Sequence, residues 1–134
     1  MAAAALAYAL ALVIFAGIDL SWLIAMGPRL YRPMLGDILL DGVNVGPAVL
    51  FYLIYPVGLT VFAVLPALRE GSVVAALALG ALFGFVSYAT YDLTNFATLR
   101  RWTLQLTAID MVWGAALSAL ASALSYFGAA SLRS

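Results

Sequence analysis

Four long apolar runs constrain this chain more than anything else in it. They cover residues 2–26, 47–68, 72–99 and 104–128, and each exceeds the roughly 20 residues a helix needs to cross a hydrocarbon core. The expected fold is all-α: one domain, residues 1–134, folded as an antiparallel four-helix transmembrane bundle. Composition agrees, because 66% hydrophobic and 9% charged residues lie far from the soluble average. The opening MAAAALAYALALVIFAG is not read as a cleaved signal. It lacks a charged n-region, and its apolar run passes through small-residue sites into Asp19 and Trp22, as a retained helix would.

Missing residues exclude whole classes of chemistry. With no His and no Cys the chain has no imidazole or thiolate for haem, zinc or iron–sulfur, no disulfide, and no His or Cys base or nucleophile. No cofactor and no metal are expected. Every basic side chain is Arg, six of them against six acids, so no basic patch points to nucleic acid. The certain partner is the lipid bilayer; a homo-oligomer or a larger membrane complex is the further expectation.

Arginine placement sets the orientation. The first connection carries Arg29 and Arg32 and the third Arg100 and Arg101, against Arg69 and Arg133 on the other side. Because basic residues near span ends favour the cytoplasm, both termini are expected outside, in the periplasm of a bacterial inner membrane. Three acids then share one depth. Asp19 lies seven residues before Met26, Asp92 seven before Leu99 and Asp110 six after Leu104, each about 10 Å inside the cytoplasmic boundary at 1.5 Å per residue.

An Asp near the middle of a span costs about 2.5–3.5 kcal/mol on insertion scales, so three in one layer must be paired, protonated or hydrated. Like charges at one level repel, which calls for a proton on at least one of them, or for a compensating cation or Arg. The acids share a local pattern, IDLSW, YDLTN and IDMVW, which puts Trp22, Asn95 and Trp113 three residues on, on the same helical face. Gly80, Gly84, Tyr88 and Asp92 form one i+4 ridge; Asp110, Gly114, Ser118 and Ser122 form another. Small residues on such ridges let membrane helices approach closely. In the second span Pro56 is expected to free the carbonyl of Tyr52 and kink the helix between Tyr52 and Tyr55.

The expected pocket is lined by Asp19, Asp92, Asp110, Asn95, Tyr55, Tyr88, Trp22 and Trp113, with Arg29, Arg32, Arg100 and Arg101 as charge partners reaching in from the cytoplasmic side. A proton, a cation or a polar small molecule would be bound or transported there. Asp92 is the first choice for the essential acid, and Asp92→Asn is expected to keep the fold while abolishing ligand-linked stabilisation. The structural alternative is that the acids lock the bundle of an accessory subunit in a larger complex. A third class, an enzyme acting on lipid, has paired carboxylates for acid and base but no nucleophile or metal signature.

Two further features stand apart. The first connection holds an interfacial segment at 33–41, with Met34, Leu35, Ile38 and Leu39 on one side; DILLDG within it fails as a calcium loop, since Leu39 stands where a ligand is needed. AGIDLSWL and ATYDLTNF agree in the Ala, the Asp-Leu pair and the hydroxyl, suggesting a two-plus-two duplication. The run YDLTNFATLRRW followed by IDMVWGA resembles bacterial predicted membrane proteins of domain of unknown function family 2177, over the whole chain. That resemblance implies a four-helix bacterial membrane protein and no catalytic assignment.

Overall fold

The computed structural model describes residues 2–40 and 42–133. Four of its helical stretches are long and apolar enough to cross a membrane. The first is α1, Ala2–Met26, which runs through a π-helical turn, Gly27–Tyr31, into the short α2, Arg32–Leu35, and a 3-10 turn. The second is α3, Val45–Leu59, continued by a π-helical turn, Thr60–Val64, into α4, Leu65–Glu70. The third and fourth are α5, Val73–Thr98, and α6, Leu104–Arg133.

Local chemistry fixes the ends. Gly71 takes a left-handed conformation at φ 65° and ends α4, a geometry that disfavours any residue with a Cβ. Ser72 then caps α5, its Oγ accepting from the backbone N–H of Ala75 at 3.1 Å, and Thr103 caps α6 in the same way, accepting from Leu106 at 3.0 Å.

Both π turns end two residues before a proline. The Arg32 N–H reaches back to Gly27 and Pro33 follows; the Leu65 N–H reaches back to Thr60 and Pro66 follows. A proline ring collides with the carbonyl four residues earlier in an α-helix. A turn widened by one residue moves that carbonyl away, so the helix continues instead of breaking.

Two sequence expectations change here. Helical geometry continues through Pro56, and the departure from α geometry comes four residues later, at Thr60. Close to Pro56 the Tyr8 hydroxyl donates to the carbonyl of Leu53 at 2.8 Å, next to the Tyr52 carbonyl expected to need a partner. In the 33–41 segment the short helix α2 has Pro33 in its first turn, as expected, but it follows on from α1 through the π turn instead of starting afresh. Its Leu35 is buried with Leu30, Trp102 and Leu106, so the segment is folded onto the bundle. Asp41, its last residue, lies outside the described residues.

The spans pack as a ring, α1 beside α3, the second span beside α5, α5 beside α6, and α6 back against α1. The α5–α6 seam is the tightest. A Cβ on Gly80 or Gly84 would meet the backbone carbonyl of Ser118 or Gly114, and one on Gly114 would enter the Tyr88 ring. These are the two i+4 ridges of the sequence. The halves of the chain pack differently, α5 and α6 along their length and α1 and α3 across a long connection, so the geometry adds nothing to the short repeat.

Three apolar tiers stack along the bundle. Ala7, Val64, Leu68 and Ala129 hold one end; Phe15, Tyr55, Leu59, Leu117 and Ala121 hold the centre; Leu30, Leu35, Trp102 and Leu106 hold the end that carries the first and third connections. At the first of these ends the second span reaches across to α6. Toward the other, the first half of α3 is largely exposed, and a space is left inside the ring.

Candidate functional site

That space is a cavity of about 870 Å3 between the central tier and the connection-bearing end, within the usual size range of small-molecule sites. Its floor and walls hold Asp19 from α1, Tyr55 from α3, Tyr88 from α5, and Asp110 and Trp113 from α6. Residues 38–40, 42 and 43 of the first connection line it as well.

Each acid has distinct surroundings. Asp19 is 6% exposed and accepts two hydrogen bonds, from the Tyr52 hydroxyl at 2.7 Å and the Trp113 indole N–H at 3.1 Å. Asp110, also 6% exposed, accepts from the Tyr31 hydroxyl at 2.7 Å. Tyr31 in turn accepts from the Trp22 indole N–H at 3.0 Å, and Trp22 stacks on Trp113 with ring centroids 4.1 Å apart. Two carboxyl groups are thus tied into one network through a pair of stacked indoles. Tyr88 stands within electrostatic range of both Asp19 and Asp110.

Asp92 differs. It is 0% exposed, it does not line the cavity, and among the described residues no N–H or O–H donor reaches either of its oxygens. The group at hydrogen-bonding range is the Asp110 carboxyl. Two carboxyl groups form a hydrogen bond only when one of them carries a proton, because an ionised carboxylate accepts and cannot donate.

The three acids anticipated from sequence therefore come together, Asp92 beside Asp110 and Asp110 within range of Asp19. Tyr55, Tyr88 and Trp113 join them in the cavity wall. Trp22 and Asn95 do not line it: Trp22 supports Tyr31, and Asn95 neighbours Tyr91.

The arginine partners are corrected. Among the described residues none of Arg29, Arg32, Arg100 or Arg101 forms an ion pair with a buried acid. Arg101 pairs instead with Asp37 at 3.2 Å, across the two connections, with side chains 54% and 78% exposed. Arg32 lines the cavity. The arginines lie at the end of the bundle, and water there solvates a guanidinium far better than the cavity floor does.

Four contributors escaped the sequence reading: Tyr31, Tyr52 as the partner of Asp19, Tyr91 and Trp102. Trp102 is 7% exposed, lines the cavity, and has an indole N–H with no hydrogen-bond partner among the described residues. Its signal was present in RRW, where an aromatic next to two arginines sits at the end of an apolar run. Tyr31 had no such signal, since its place depends on the π turn.

No curated protein and no solved structure matches the chain. The family model described as predicted membrane protein (DUF2177) matches residues 4–127, and with four helices of spanning length and apolarity behind that match, the chain belongs to this family of membrane proteins.

Proposed function

We propose that the cavity binds an organic cation, holding its charge against Asp19 and Asp110 and its apolar body against the aromatic walls, in a binding or transport-type membrane protein. The observation that carries this is the kind of company the two acids keep. They are buried in a cavity wall, the N–H and O–H donors that reach them belong to neutral Tyr and Trp side chains, and among the described residues no arginine forms an ion pair with either. Tyr55, Tyr88 and Trp113 line the same cavity, and an aromatic ring attracts a cation placed over its face by about 0.5–2 kcal/mol. A bare metal ion fits less well, because among the described residues no group of three acids is arranged to hold one. The unpartnered Trp102 N–H supports a ligand in the same space, since it would find an acceptor on a bound molecule.

Tetraphenylphosphonium, an apolar cation, is a suitable probe for detergent-solubilised protein. Asp19→Asn and Asp110→Asn are each expected to weaken its binding at least about tenfold, some 1.4 kcal/mol, with helicity and melting retained. Unchanged affinity in both variants would overturn the cation pocket.

The orientation belongs to the same proposal: both termini outside, the cavity toward the cytoplasm, in a bacterial inner membrane. A second class rests on a separate observation. The outer face of α5 and α6 forms an apolar groove lined by Ala108, Ala115, Ala116 and Ala119 among others, and such small-residue surfaces suit close packing of another helix. A stoichiometric partner protein in native purification would favour an accessory subunit.

A further inference from the structure

We infer that Asp92 is a positioning residue that bears a proton and donates its carboxylic O–H to Asp110, so that Asp110 carries the charge turned toward the cavity. This assigns to Asp92 a role opposite to that of the essential charged acid, and it rests on the cation-pocket reading for its functional consequence.

The geometry leads there in three steps. Asp92 is wholly buried and among the described residues has no N–H or O–H donor; an ionised carboxylate in such a place has nothing to replace its lost hydration, whereas a neutral acid loses far less. Its hydrogen-bonding neighbour is another carboxyl, Asp110, and that contact needs one proton. Of the two, Asp110 has the better means to hold a charge, because it accepts from Tyr31 and faces the cavity. The proton therefore sits on Asp92 and points at Asp110.

The groups around the pair agree. Asp19 faces it from α1, Tyr31 from the π turn after α1, and Tyr88 and Tyr91 from α5. Tyr52 and Tyr55 stand on the α3 side, each within range of Asp19. Arg32, a group of opposite sign in the cavity wall, forms no ion pair with an acid among the described residues. The cavity has a marker independent of the acids in the buried, unpartnered indole N–H of Trp102.

An Asn at position 92 supplies an amide N–H to Asp110 and needs no proton, whereas a Val supplies nothing. Asp92→Asn is accordingly expected to bind tetraphenylphosphonium within about threefold of the wild type, and Asp92→Val to lose at least about tenfold. Infrared spectra supply a second readout: the carbonyl band of a buried protonated carboxylic acid is expected in the wild type at neutral pH and should vanish in Asp92→Asn.

Loss of binding in Asp92→Asn equal to that in Asp110→Asn would overturn the inference, as would absence of the protonated-acid band. If Asp92→Val does not fold, the wild-type and Asn spectra still decide. Failure of the wild type to bind the probe would overturn the pocket, while the infrared band would still report on the proton of Asp92.

Discussion

At the residue scale, the surroundings of the acids matter more than their number. Asp19 is held by Tyr52 and Trp113, and neither donor brings a charge. Hydrogen bonds between membrane helices average about 0.6 kcal/mol and reach about 1.7, so Tyr52→Phe should lower stability by an amount in that range in a denaturant titration in detergent. A much larger loss would mean that Asp19 also depends on Tyr52 to stay buried. The convergence of Asp19, Asp92 and Asp110 was legible because depth follows from counting residues in a straight helix. Asp92 was legible as an acid but not as one behind the cavity wall, since sequence gives a residue's face only to within a third of a turn. Tyr31 was hidden for another reason. Nine residues of straight helix would separate it from Trp22 by about 13 Å along the axis and set it half a turn away; the π turn and the distorted backbone at Met26, φ −98° and ψ −15°, bring the two side chains to 3.0 Å.

At the scale of elements, the α5–α6 seam is the best-determined contact, and glycine is what allows it. A methyl group on Gly114 would enter the Tyr88 ring, whereas Gly17 on α1 has open space around its Cβ position. Gly114→Ala should destabilise the bundle by about 1–3 kcal/mol, the usual range for overpacking, and should weaken cation binding by moving Tyr88. Gly17→Ala should be neutral or stabilising by up to about 1 kcal/mol. Equal melting shifts for the two variants would contradict the close approach. The i+4 small-residue ridges made this seam readable in advance. The π turns were not, although Pro33 and Pro66 stood in plain view: a proline can break, kink or widen a helix, and the surrounding contacts decide which.

At the scale of the molecule, the arrangement is a ring of four spans, tight at the α4 end and hollow toward the connections. The Arg count in those connections gives the expected orientation, with the first and third loops in the cytoplasm. A reporter fused after Ser134 that is active only outside the cytoplasmic membrane would agree, and one active only inside would reverse it. The four apolar runs and the all-α bundle were written in the hydropathy. The cavity was not, because it depends on the first half of α3 standing away from its neighbours while the first connection lines the gap.

The central claim is that Asp19 and Asp110 face one cavity and hold a cation there. Crystals grown with tetraphenylarsonium would test it most directly, since arsenic is located by its anomalous scattering. The expected result is a single arsenic peak inside the ring, between the two carboxyl groups and against Tyr88 and Trp113. An ordered bundle with its arsenic elsewhere, or with those acids turned toward lipid, would contradict it.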